Sequence, residues 1–232
     1  MKIDVWSDLV CPFCYIGKRR LEGALAEFPH RDEVEVVWHS FQLDPSAPPV
    51  SEEPTAQMVA RKYGIPLAQA EQNQRQLEAQ AATVGLEYHL DRTRTGNTLD
   101  GHRLIHLAAE QGLADAAHER FMRAYFTEGE PIGDRATLAR LADEVGLPAD
   151  RVRAVLDGDE YAEDVERDQA RAHAYGARGV PFFVLADAVG VSGAQPHEVF
   201  VQALDQAWAT AHPLEVVGGD DGAVCEGDAC AL

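Results

Sequence analysis

Trp6–Ser7–Asp8–Leu9–Val10–Cys11–Pro12–Phe13–Cys14–Tyr15–Ile16–Gly17–Lys18 runs from the end of an apolar strand into the start of a helix, with two cysteines at the junction. Residues 3–6 are mostly apolar and partly β-branched, which predicts a strand. From 12 to 28 the apolar positions Ile16, Leu21, Leu25 and Phe28 recur at helical spacing. Pro12 suits a first helical turn, where its missing N–H costs little. Cys11 therefore falls at a helix N-terminus, where unpaired N–H groups carry partial positive charge. That setting favours thiolate over thiol, so Cys11 is expected to be the exposed nucleophile. Cys14, about one turn further in, is expected to be more buried and able to close back onto Cys11. Zinc ligation and inert structural thiols are the alternatives for a C-x-x-C pair. The strand–turn–helix context favours redox chemistry over both.

Outward from this junction, 34–38 reads as a second strand, so the first 40 residues give β–α–β with a parallel crossover. Residues 44–54 hold four prolines (Pro45, Pro48, Pro49, Pro54) and read as a linker. Helical periodicity then dominates, with helices predicted at 55–63, 66–84, 99–111, 114–127, 134–145 and 160–175. Asp134 is placed to cap the helix after Gly133. Strand character returns at 180–185 and 189–192, close enough for an antiparallel hairpin, and 196–208 reads as a last helix. The stretch from Gly218 to Leu232 carries acids but no lysine or arginine, and reads as a mobile tail.

The chain has 232 residues, 20 basic and 39 acidic, for a formal net charge of −19, with 46 % hydrophobic residues. That composition is globular and supports a core without staples. The acidic balance argues against nucleic acid and anionic membrane surfaces as partners. No apolar run approaches the ~20 residues of a spanning helix. The start, MKIDVWSD, has no apolar signal region, so a cytoplasmic location is expected. Structural disulfides are rare there. The four cysteines accordingly read as two close functional pairs, Cys11/Cys14 and Cys225/Cys230.

The order β–α–β, helical block, β–β–α is the element order of the thioredoxin fold with a long all-helical insertion. Asp8–Leu9–Val10–Cys11–Pro12–Phe13–Cys14–Tyr15–Ile16–Gly17–Lys18, the insertion, and Gly179–Val180–Pro181–Phe182–Phe183 resemble the DsbA-type thiol oxidoreductases, in particular their FrnE-like branch. The likeness spans residues 1 to about 212. It implies an α/β chain divided into 1–45 and 178–212 (the two parts of the thioredoxin fold), 46–177 (helical insertion) and 213–232 (acidic tail). It implies dithiol–disulfide exchange at Cys11 and Cys14, on protein thiols and disulfides. Val180–Pro181 stands where such folds carry a cis proline facing the cysteines. A cis bond is therefore expected, with the proline ring against Cys11 and the Val180 backbone open to an extended substrate. Pro12, Phe13, Val180 and Pro181 are the expected substrate-contacting residues.

Two departures from the resemblance matter. Phe13 replaces the histidine that secreted DsbA proteins place between the cysteines, so a less oxidising couple is expected. Val5 stands six residues before Cys11, where many thioredoxin-fold enzymes bury a carboxylate. Proton transfer from Cys14 then needs another route, through water or Asp8.

Other features are less specific. Cys225–Glu–Gly–Asp–Ala–Cys230 could shuttle electrons to or from the first pair, form a local disulfide or scavenge metal, or do nothing. Residues 213–224 could span up to ~40 Å if extended. Gly96–Asn97–Thr98 and His102 are similar to a site-lining segment of the related 2-hydroxychromene-2-carboxylate isomerases and kappa-class glutathione transferases, which makes Asn97 a candidate binding residue. Capping of the next helix by Asn97 and Thr98 is the simpler reading. His102 and His106 share a helix face but lack further ligands, so no metal site is expected. His39 reads as the end of the second strand, and Phe182–Phe183 as core on one side and cleft wall on the other. Protein thiol–disulfide exchange leads the functional readings. Glutathione-dependent isomerisation or transfer on a small molecule, and a non-enzymatic holdase, are the alternatives. No bound cofactor is expected, and glutathione enters as a co-substrate.

Overall fold

A computed structural model describes residues 1–213. A four-stranded sheet forms its centre, in the order β2-β1-β3-β4. β1 (Lys2–Ser7) pairs in parallel with β2 (Glu35–Ser40), Ile3 opposite Val36 and Ser7 opposite Ser40. On its other edge β1 pairs antiparallel with β3 (Phe182–Leu185), which forms a hairpin with β4 (Val189–Ser192). Helix α1 (Pro12–Glu27) makes the β1–β2 crossover, and α9 (His197–Ala211) packs against it and against β4. This is the thioredoxin topology expected from the element order.

Between β2 and β3 lie α2 (Thr55–Tyr63), α3 (Leu67–Ala82), α4 (Leu99–Ala109), α5 (Ala114–Arg123), α6 (Arg135–Glu144), α7 (Ala149–Asp157) and α8 (Ala162–Ala174). Asp134 caps α6 as predicted, its carboxylate accepting the Thr137 N–H at 2.8 Å. The sequence reading omits α7. Its short apolar set, Val152, Val155 and Leu156, is buried against α4 and α6. The stretch predicted as a helix through 127 departs from α geometry at Ala124–Glu128, a π-helical turn that ends at Gly129 with φ 74°. The turn leaves the Phe126 carbonyl free to accept the His89 N–H at 2.7 Å.

The alternation of β1 sets the two faces of the sheet. Ile3 and Val5 enter the main core with Ile16, Leu21, Leu104 and Phe200, so one apolar core is continuous from sheet to insertion. Trp6 points the other way, into a smaller cluster with Phe41, Ala172, Phe182 and Val184 under α8. Phe182 and Phe183 thus divide between these two cores. Neither lines the cleft, which corrects the expected cleft-wall role: β3 is covered on both faces, so alternating residues both find core.

Charged groups bind the insertion to the sheet. Asp168 on α8 accepts the Ser40 N–H at 2.9 Å and lies 2.8 Å from His39 Nδ1. The opposite nitrogen of His39 lies 2.6 Å from the buried Asp4 carboxylate. Lys18, buried in α1, meets Asp115 of α5 at 3.0 Å and also pairs with Glu22 and Glu119. Among the described residues no helix is long and apolar enough to cross a membrane.

Candidate functional site

Cys11 is the N-cap of α1, with extended backbone (φ −89°, ψ 111°), and Pro12 is the first helical residue. A tight turn leads in, the Cys11 N–H donating to the Asp8 carbonyl at 3.1 Å, and the Cys14 N–H donates to the Cys11 carbonyl at 3.0 Å. The two cysteines are therefore held on one turn, with Cys11 at the positive end of the helix. Both are free thiols.

The Val180–Pro181 bond is cis. The Cys11 thiol donates to the Val180 carbonyl at 3.5 Å. The proline ring itself lies along α1 at Gly17, where an added Cβ would come within 3.0 Å of Pro181 Cγ. Cys11 thus meets the carbonyl that precedes the proline, and the proline ring meets α1 at a glycine.

Cys11 is only 4 % exposed and Cys14 1 %. An exposed Cys11 was the expectation from the helix start alone. Val180 and the insertion close over it, and its access is through a cleft of about 490 Å³. Cys11, Pro12, Phe13 and Val180 line one end of this cleft. Met58, Val59, Leu77, Leu90 and Phe126 give it an apolar wall, and Arg61 and Lys62 stand at the end of α2. Phe13 is 45 % exposed at the rim.

Burial, and then the neighbouring Cys11 sulfur, push the Cys14 thiol well above its ordinary range; the Ser7 hydroxyl and the Asp8 backbone pull the other way. The Ser7 hydroxyl is buried at the end of β1 and, among the described residues, has no other hydrogen-bond partner. Cys14 thus stays a thiol at neutral pH until a base removes its proton.

Several partnerships around the pair are not signalled by the sequence. Tyr88 donates to the Pro12 carbonyl at 2.8 Å and stacks on Phe126 at 4.6 Å between centroids. Burial raises its phenol far above the usual range. Tyr15 donates to Glu119 at 2.5 Å, which ties the second turn of α1 to α5. Asp8 is wholly buried and faces His102 at 3.4 Å. These partners lie 76 to 104 residues apart in the chain, so no local pattern announces them.

Asn97 does not line this cleft. Its Oδ1 accepts the Leu99 N–H at 2.9 Å, and its amide nitrogen donates to the carbonyls of Pro45 and Ala47 at 3.0 and 3.2 Å. It starts α4 and clamps the proline-rich segment. Thr98, the formal N-cap, makes no side-chain capping bond. His106 faces Ser40 and Asp168, both at 3.2 Å, apart from the cleft. Among the described residues no cluster of three or more metal-capable side chains occurs. Cys225 and Cys230 lie outside the described residues.

Comparison with known proteins is consistent along the whole chain. Residues 2–205 match the family described as DSBA-like thioredoxin domain. The uncharacterised protein YwbO of Bacillus subtilis is 32 % identical over 209 residues, covering 87 % of this chain and 94 % of its own. The crystal structure of a probable DsbA oxidoreductase from Streptomyces coelicolor superposes with a TM-score of 0.88 at 46 % identity, covering 100 % of this chain and 99 % of that one. DsbM of Pseudomonas aeruginosa, a cytosolic disulfide reductase solved with GSH, has the same fold, with a TM-score of 0.61 at 17 % identity over 91 % of this chain and 97 % of that one.

Proposed function

Because the chain belongs to the DSBA-like thioredoxin-domain family, we propose that it is a protein thiol–disulfide oxidoreductase working through Cys11 and Cys14. The single observation that carries this reading is the meeting of the Cys11 sulfur, at a helix N-terminus, with the Val180 carbonyl, both residues lining one apolar cleft. In the reducing direction, the Cys11 thiolate attacks one sulfur of a substrate disulfide. A Cys11–substrate disulfide forms and the other substrate sulfur leaves as thiolate. Cys14 then attacks Cys11 Sγ, the substrate is released with both sulfurs reduced, and Cys11–Cys14 is left as a disulfide. The reverse sequence oxidises a substrate dithiol. Isomerisation is the first step followed by attack of a different substrate thiol. The helix end favours the anion at Cys11 in each case.

The apolar wall of the cleft fits an unfolded or extended segment around the reacting sulfur, with Phe13, Pro12 and the 180–181 backbone in contact with it. Glutathione is the proposed reductant, two molecules giving one oxidised dimer and restoring the dithiol, in a cytosolic setting where that thiol is abundant. The scheme adds Cys225–Cys230 as a relay that exchanges with Cys11–Cys14. Its support is the four-residue spacing and its place beyond the last helix.

Cys11→Ser is the direct test. It is expected to abolish insulin reduction and ribonuclease reoxidation, while Cys14→Ser accumulates a mixed disulfide detectable by mass. Undiminished activity of Cys11→Ser in both assays would remove the reading. Truncation before residue 219 tests the relay: turnover with glutathione should slow while single-turnover attack by Cys11 does not.

A second reading, glutathione-dependent isomerisation or transfer on a small molecule, draws on the cleft, which Arg61 and Lys62 also line. Such chemistry needs no resolving cysteine. Catalytic turnover of a small molecule with glutathione in Cys14→Ser would favour it.

A further inference from the structure

Dithiol exchange leaves one proton without an obvious destination. Cys14 must lose its proton as it attacks Cys11, and burial holds that thiol well above its ordinary range. The β1 residue six before Cys11 is Val5, whose side chain is in the apolar core. Three carboxylates line the cleft: Asp8, Asp44 and Glu53. Asp44 is exposed and accepts the Ser46 N–H at 3.1 Å, and Glu53 is paired with Arg61 at 2.9 Å. Asp8 alone is buried, at 1 % exposure.

Asp8 begins the turn that carries Cys11, through the 3.1 Å bond from the Cys11 N–H to its carbonyl. Its Oδ2 accepts the Leu43 N–H at 2.8 Å, and its Oδ1 lies 3.4 Å from Nε2 of the equally buried His102. Among the described residues no lysine or arginine lies within ion-pair distance of Asp8. The Cys14 sulfur lies against the Asp8 backbone, and His118 from α5 and Tyr125 from the π-helical turn face the pair. His118 is wholly buried with neither ring nitrogen partnered among the described residues, and burial, with His102 and Lys18 nearby, keeps it neutral. A carboxylate buried without a fixed cation is costly to keep charged unless a proton can be shared with it. An acid beside an imidazole, opening on the cleft that holds the reacting sulfur, is such an arrangement.

We propose that Asp8 and His102 form the proton relay of the Cys11–Cys14 pair. The inference rests on the dithiol reading above and assigns the proton of its second step. The Cys14 S–H bond breaks and its proton passes to the Asp8–His102 pair. The Cys14–Cys11 S–S bond forms, the Cys11–substrate S–S bond breaks, and its electron pair leaves on the substrate sulfur, which takes the proton from the relay. In the oxidising direction the relay returns the proton to Cys14. Asp8 and His102 form no covalent bond to the substrate. They act through the dithiol.

Ellman's disulfide separates the two steps, because attack by Cys11 releases one coloured thiolate and resolution by Cys14 releases a second. That leaving thiolate needs no proton, so the second release reads deprotonation of Cys14. In the full chain, Asp8→Asn is expected to lower the ratio of second to first release rates by about 10²-fold at neutral pH. The deficit should close as pH rises and hydroxide takes over. His102→Gln should give a smaller effect of the same pH dependence, and Asp8→Glu should restore part of the rate. A folded Asp8→Asn protein with the wild-type ratio across the pH range would overturn the relay. If Asp8→Asn fails to fold, carbon-13 spectra of the wild-type protein decide: the Asp8 carboxyl must titrate differently in the reduced and disulfide forms, and identical curves overturn the proposal. A wild-type protein that releases neither thiolate would instead remove the dithiol reading, and the relay with it.

Discussion

The sulfur of Cys11 lies 3.5 Å from the carbonyl oxygen of Val180, although 169 positions separate the two residues in the chain. The contact brings the segment that leads into β3 over the start of α1, where Cys11 and Val180 line the same cleft. A buried nucleophile of this kind is selective by shape before it is selective by chemistry.

Reagent size should therefore control modification of the reduced protein. Iodoacetamide is expected to label Cys11 first, and a bulky maleimide to react more slowly relative to a free thiol standard. Cys14, buried and kept protonated, should react at least about tenfold more slowly in Cys11→Ser than Cys11 does in Cys14→Ser. Mass-resolved labelling time courses at neutral pH give both rates. Equal rates for the two sulfurs would contradict the asymmetry of the site.

Phe13 sits in the first turn of α1, 45 % exposed at the rim of the cleft, and offers no polar group to a thiolate at Cys11. An imidazole there would stabilise the anion and hence the reduced form. Phe13→His is expected to make the couple more oxidising by about 30 mV or more, equivalent to about 1.4 kcal/mol. Equilibration against glutathione buffers measures it. A shift in the reducing direction would show that the rim does not act on the sulfur in this way.

What the sequence reveals about this protein is what is encoded locally. Pro12 after Cys11, the C-x-x-C spacing and the Val180–Pro181 step are each legible within a few residues, because strand ends, helix starts and proline steps have their own backbone chemistry. The hairpin at 182–192 and the Asp134 cap are legible for the same reason. The burial of Cys11 is not, because Val180 and the cleft wall come from distant segments. Nor is the division of Phe182 and Phe183 between two cores, which depends on α8 covering the second face. Helix α7 is passed over because three large apolar residues in nine give too short a period to stand out from a loop. Tyr88 reads as an ordinary residue until the chain folds, and the sequence names Asp8 as a proton route and His102 beside a site-like segment without pairing them, since the pairing joins different elements.

Gly17 shows how packing decides the sign of a substitution. Alanine normally stabilises a mid-helix glycine position by about 0.5–1 kcal/mol. At Gly17 the new Cβ would come within 3.0 Å of Pro181 Cγ and 3.1 Å of Phe183 Cζ, both buried. Overpacking of this kind costs about 1–3 kcal/mol, which exceeds the propensity gain. Gly17→Ala is therefore expected to lower stability and, by pushing α1 off β3, to slow exchange. Gly23→Ala, on the same helix, meets only the partly exposed His197 side chain at 3.3 Å and should be neutral or stabilising. Urea midpoints of the two variants test the contrast, and a stabilised Gly17→Ala would refute the close approach.

Asp168 should dominate the acid limb of stability. Burial alone would raise its carboxyl, but hydrogen bonds with His106 and His39, and the Ser40 N–H, outweigh that and hold it well below the usual carboxylate range. Because the folded value lies below the unfolded value of about 3.9, the stabilisation is fully present above that pH. It is lost as pH falls further through the acid range, where the unfolded chain takes up the proton first. Asp168→Asn should lose about 3 kcal/mol near neutrality, since it takes the carboxylate from His106 and one of two from His39, and weakens the bond from the Ser40 N–H. Its stability should also fall less steeply than that of the wild type as the solution is acidified, so the two curves converge. Urea unfolding from neutral pH down to about pH 2 follows both proteins through this window. Parallel curves would mean that the acid sensitivity of the fold resides in another carboxylate.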